Sequence, residues 1–200
     1  MKSFLIPFAV SLVTASTALA SGPVAPPPPP QIVTVTPPSY DWTGFYGGAS
    51  VSAHGGEMFD IGGPFEVEGY SGSLFAGYRH DFGMAVLGGE ISTTVGTNAR
   101  QSAFPGWHFD RFTDLRVTAG YDAGRVLPYM ALGYTLGDFR AGGFGNQNYN
   151  GMNAAIGVDV MITQSLFMGI EYNRRWLESD VTPGWTGDID TIQIRGGFRF

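Results

Sequence analysis

From Trp42 to Phe200 apolar and polar side chains alternate with a period of two. No apolar run after residue 20 approaches the roughly 20 residues that a membrane-spanning helix requires. The chain is therefore built from strands with one apolar and one polar face. One strand sets Leu87, Gly89, Ile91, Thr93 and Val95 against Gly88, Glu90, Ser92 and Thr94. Another sets Leu115, Val117, Ala119 and Tyr121 against Asp114, Arg116, Thr118 and Gly120. The pattern recurs with Met152, Ile156 and Val160 opposing Asn153 and Asp159, then with Ile170 and Tyr172 opposing Glu171 and Arg175, and finally with Ile192 and Ile194 opposing Gln193 and Arg195. Eight strands are predicted, at about 42–53, 67–79, 85–95, 112–122, 126–137, 149–162, 165–177 and 188–200, with ends good to roughly two to four residues.

The connections alternate in length. Those around 80–84, 123–125 and 163–164 are tight, whereas 54–66, 96–111, 138–148 and 178–187 read as long loops rich in Gly, Asn, Asp and Pro. Short turns on one side and long loops on the other are the plan of an outer-membrane barrel, with the short side periplasmic. An even strand count then puts both termini in the periplasm.

An alternating barrel can turn its apolar face inward, as a soluble ligand carrier does, or outward to lipid. The polar face decides. It is mostly Gly, Ser, Thr and Asn with isolated Arg and Glu, which suits a narrow lumen. A water-facing surface would carry lysines, and Lys2 is the only lysine in the chain. Tyr and Trp near strand ends (Trp42, Tyr46, Tyr70, Tyr78, Tyr121, Tyr129, Tyr134, Tyr172, Trp176) suit interfacial girdles. The expected fold is all-β, an eight-stranded antiparallel up-and-down transmembrane barrel.

Residues 1–20 read as a signal peptide: Lys2, an apolar run from Phe4 to Val10, and Ala18-Leu19-Ala20 as the cleavage site. Residues 21–40, with Pro26 to Pro30 and Pro37-Pro38, read as an extended proline-rich periplasmic linker. The barrel is assigned to 41–200. Beyond residue 20 there are ten arginines against 17 acidic residues, and such an acidic chain lacks the basic patches of a nucleic-acid binder. With 0 Cys in 200 residues, disulfides, thiolate catalysis and Cys-ligated metals are excluded.

Several segments resemble one family. Asp41-Trp42-Thr43-Gly44-Phe45-Tyr46-Gly47-Gly48 resembles the opening strand of small porin-like outer-membrane proteins and opacity-type surface antigens. Gly77-Tyr78, Gly88-Gly89-Glu90-Ile91, Leu115-Arg116, Gly120-Tyr121, Leu127-Pro128-Tyr129, Gly133-Tyr134 and Gly169-Ile170-Glu171-Tyr172 are similar to its later strands. The closing Arg195-Gly196-Gly197-Phe198-Arg199-Phe200 resembles its last strand, and the resemblance implies that Phe198 and Phe200 are a signal to the barrel insertion machinery. It implies fold and outer-membrane location more than activity, since the loops differ among members.

The expected lumen set is Arg79, Glu90, Asp114, Arg116, Asp159, Glu171, Arg175, Arg195 and Arg199. Isolated charges in so narrow a space must pair, so the expectation is a salt-bridged plug in a non-enzymatic envelope protein. A narrow diffusion channel is the alternative. A third reading, an outer-membrane enzyme, rests on His54 close to Ser50 and Ser52, with His80 in a turn and His108 near Trp107 and Asp110. Acidic residues Glu57, Asp60, Glu66, Glu68, Glu178, Asp180, Asp188 and Asp190 form a rim that could share divalent cations with lipopolysaccharide, although a solvated face explains them as well. Loop aromatics Phe104, Trp107, Phe109, Phe139, Phe144 and Tyr149 are candidates for contact with extracellular partners. No cofactor or metal is expected.

Overall fold

The computed structural model describes residues 40–60, 62–97, 100–101, 108–141 and 145–200. The expected signal peptide, and the expected proline-rich linker up to residue 39, lie outside them. The long strands are β1 (Gly44–Asp60), β2 (Gly63–Asp81), β3 (Ala85–Thr97), β5 (His108–Tyr121), β6 (Val126–Ala141), β7 (Gly145–Met161), β8 (Leu166–Ser179) and β9 (Thr186–Arg199), with a two-residue β4 (Arg100–Gln101) between β3 and β5. All pairings are antiparallel and run β1-β9-β8-β7-β6-β5-β3-β2, and β2 returns to β1. The sheet closes on itself as an eight-stranded barrel, which leaves no edge strand unpaired in the lipid.

The alternation sets the two faces as expected through the middle of the barrel. Val51, Leu74, Ile91, Leu115, Leu132, Ile156, Ile170 and Ile194 are exposed on the outer wall, while Glu90, Arg116, Asn153, Glu171 and Arg195 are buried inside. The tight turns also fall where the sequence places them. In the β5–β6 turn Asp122 Oδ1 accepts from the Gly124 N–H at 2.7 Å, and Gly124 takes a left-handed φ of 75° that a side chain would resist.

The upper parts of the strands differ from expectation. The predicted loop at 54–66 is mostly ladder, since β1 and β2 stay in register from Gly44↔Arg79 to Asp60↔Gly63. Likewise β6 and β7 pair from Val126↔Val160 to Ala141↔Gly145. At 13 to 19 residues, the long strands exceed the roughly 9–11 needed to cross the bilayer, so the hairpins continue past the apolar band. There the polarity of the faces inverts. Glu57, Glu66, Glu68 and Glu178 face outward, whereas Met58, Val67, Leu177 and Ile189 are buried inside.

The interior is consequently layered. At the loop end Met58, Val67, Phe109, Phe112, Phe139, Tyr149, Leu177 and Ile189 form one apolar cluster. At the short-turn end Trp42, Tyr46, Phe75, Val86, Leu127, Met161 and Phe167 form another. The charged residues lie between the two. Inward glycines admit the larger rings: a Cβ on Gly77 would stand 2.5 Å from the Tyr46 hydroxyl, and one on Gly157 would stand 2.7 Å from that of Tyr129.

Candidate functional site: the charged interior

Antiparallel neighbours project inward at nearly the same height, and this brings charges far apart in sequence into one layer. The lower network centres on two carboxylates and two guanidinium groups. Glu171 accepts from Arg116 Nη1 at 2.6 Å, from Arg195 Nη1 at 2.9 Å, from Tyr129 OH at 2.6 Å and from Gln193 Nε2 at 2.7 Å. Glu90 accepts from Arg195 Nη2 at 2.5 Å, from Tyr46 OH at 2.9 Å and from Arg116 Nη2. Each arginine thus bridges both carboxylates, a use of the planar fork that a lysine could not reproduce. Arg195 also lies 4.1 Å from the centre of the Phe75 ring. Below, Arg79 pairs with Asp159 at 2.8 Å and stacks 4.4 Å from the Tyr46 ring.

The upper network is built on Asp114. Arg175 grips it with Nε at 3.1 Å and Nη2 at 2.7 Å, and Thr135 donates to it at 2.7 Å. Asn153 in turn donates to Thr135 at 2.9 Å. Arg175 Nη1 also donates to the Thr191 hydroxyl at 2.7 Å. The chain continues from Thr191 to His54 Nδ1 at 2.8 Å, from His54 Nε2 to Ser71 Oγ at 2.6 Å, and from Ser71 to Ser52 at 2.9 Å.

Eight of the nine sequence-predicted lumen residues (Arg79, Glu90, Asp114, Arg116, Asp159, Glu171, Arg175 and Arg195) are buried and joined in these networks. They comprise four arginines and four carboxylates, so the interior is neutral. Arg199 is the exception. It lies half-buried at the short-turn rim and donates to the backbone carbonyls of Thr43 at 2.7 Å and Gln164 at 2.9 Å. Its strand ends there, at the rim, where it bonds backbone carbonyls instead of a lumen carboxylate.

Three aromatics read as girdle residues point inward instead: Trp42, Tyr46 and Tyr129 are buried, the two tyrosines as hydroxyl donors to the glutamates. Tyr70, Tyr78, Tyr121, Tyr134, Tyr172 and Trp176 do face outward. Tyr46 falls on the inward phase of β1, which also carries Ser50 and Ser52, so register distinguishes it where residue type does not.

The serine bonded to His54 is Ser71, not Ser50 or Ser52, and Phe112 of the upper cluster lies 6.0 Å from the imidazole. His80 meets Phe82 edge-on at 4.5 Å, outside the lumen, and His108 pairs with Asp110 at 3.1 Å. Phe109, Phe139 and Tyr149 are buried under 2% exposed, which removes them from the surface set; Phe104, Trp107 and Phe144 lie outside the described residues. Of the acidic rim, Asp188 and Asp190 engage Arg174 at 2.9 and 3.5 Å, and Asn150 donates to Asp180. Among the described residues no group of three or more His, Asp or Glu side chains is arranged to hold a metal ion. Outside the membrane span, Asp41 accepts from the Thr43 N–H at 2.8 Å, and that bond holds its carboxyl below the ordinary range.

A closed eight-stranded barrel with an apolar outer wall and a charge-paired interior defines a bacterial outer-membrane β-barrel protein. Residues 8–200 match the sequence model of the outer membrane protein beta-barrel domain, and the chain belongs to that family. Among solved structures it is similar to Neisserial surface protein A, at 16% identity and TM-score 0.52, covering 79% of this chain and 98% of that one. Ail of Yersinia pestis, solved in complex with the heparin analogue sucrose octasulfate, matches at 12% identity and TM-score 0.48 over 78% and 99%. The N-terminal β-barrel domain of Pseudomonas aeruginosa OprF matches at 15% identity and TM-score 0.42 over 76% and 97%. None of the curated proteins matches.

Proposed function

We propose that this protein is a structural, surface-interactive element of the outer membrane whose lumen is a fixed plug, with the loop end extracellular and both chain ends periplasmic. One observation carries the reading: a neutral set of four arginines and four carboxylates, each of them ion-paired, lies between two apolar clusters. A permeant solute would have to displace bridging arginines in a lumen too narrow to hold both. His54 takes no catalytic step, because it sits beneath the upper cluster where a substrate has no approach. The outer wall meets lipid, its charged upper belt meets lipopolysaccharide headgroups, and the hairpins carry whatever extracellular contacts the protein makes. The exposed Phe198 and Phe200 rings, 5.7 Å apart, offer the insertion machinery an aromatic edge.

The test is permeability. Cells lacking the protein should take up a hydrophobic fluorescent dye faster, and the wild-type and His54→Ala chains should restore the barrier equally. Unchanged uptake on deletion would remove the envelope role, and a folded His54→Ala chain that failed to restore it would revive catalysis.

A further inference from the structure

The four residues that precede β1 lie outside the ladder, yet they cross the short-turn mouth. Trp42 is buried to 2% exposed, and its Nε1–H donates to the Gly124 carbonyl at 3.0 Å. Gly124 sits in the β5–β6 turn, and β6 is four strands from β1 in either direction round the barrel. That bond therefore reaches across the full width of the mouth. The indole meets Phe167 edge-on at 6.5 Å and lies 5.9 Å from the Arg79 guanidinium, the partner of Asp159. Tyr40 reaches the same far turn, 5.5 Å from Arg125. On the near side Thr43 accepts from the Asp81 N–H at 3.1 Å through its hydroxyl and from Arg199 at 2.7 Å through its carbonyl.

We infer that Tyr40–Thr43 form a detachable strap across the periplasmic mouth, with Trp42 as its stopper over the Arg79–Asp159 pair. The strap is held by side-chain contacts rather than by a strand ladder, so it opens at lower cost than any strand separates. In the chain it directly follows the proline-rich stretch 22–38.

The chain has no cysteine, so single thiols report access cleanly. Val86, buried in the floor cluster with Trp42, is replaced as Val86→Cys; Leu177, in the loop-end cluster, is replaced as Leu177→Cys. The full chain, folded in detergent, is treated with a charged methanethiosulfonate reagent. Adding Trp42→Ala should speed labelling of Val86→Cys by about 10-fold or more, because labelling follows the population of the open strap. Leu177→Cys should label at its original rate. Trp42→Phe keeps a ring but loses the bond to Gly124, so it should produce a smaller rise, and it carries the comparison where Trp42→Ala does not fold. Equal protection of Val86→Cys with and without Trp42 overturns the strap, as does faster labelling at both reporters together.

Discussion

The lower and upper halves of the same strands obey opposite rules. In β8, Ile170 faces out and Glu171 in, while eight positions on Glu178 faces out and Leu177 in. In β9, Ile194 and Arg195 trade places with Asp188 and Ile189 in the same sense. The ladder and its period of two are continuous through the change. What changes is the solvent outside. Where the wall meets hydrocarbon, polar side chains can only go inward and must pair there. Where the hairpins rise into water, the interior becomes an ordinary apolar core.

The largest effect that would test this contrast is on the buried charges. Glu171→Ala leaves Arg116 and Arg195 short of a carboxylate in a dry interior, and should cost about 3–5 kcal/mol in reversible urea unfolding from lipid vesicles. A loss below about 1 kcal/mol, the scale of an exposed pair, would mean that water reaches the network. Next, Ile170→Arg on the lipid-facing wall should cost about 2–4 kcal/mol by the same measurement. The same change at Thr186, on the upper part of β9 beyond the apolar band, should cost little, and equal costs would erase the inversion. The smallest effect belongs to the outer-wall pair. Arg174 and Asp188 lie 2.9 Å apart, as close as many buried pairs, but their side chains are 39% and 45% exposed. Arg174→Ala should therefore leave the urea unfolding midpoint almost where it is, and the remaining difference should shrink further in high salt.

The same inversion explains what the sequence could and could not convey. Through the lipid-facing stretch the phase of alternation identifies the inward residues directly, and eight of the proposed lumen charges were legible from it. Above that stretch a rule that asks which face is apolar has no fixed answer, so Gly55-Gly56-Glu57 and Gly62-Gly63-Pro64 read as loop although they belong to ladders or to the tight turn between them. The same rule misplaces Phe109, Phe139 and Tyr149, which pack inward where the outside is wet. Trp42, Tyr46 and Tyr129 were hidden by residue type, since an aromatic near a strand end suits either an interface or a plug. The pairing of His54 with Ser71 depends on the register between β1 and β2, which local sequence does not encode.

Conductance of the purified protein in planar lipid bilayers at neutral pH tests the proposed plug most directly. With Glu90, Glu171, Arg116 and Arg195 locked together between two apolar clusters, the wild-type barrel should show no steady current at either polarity. Steady, discrete openings would contradict it, because ions cannot pass while those pairs hold.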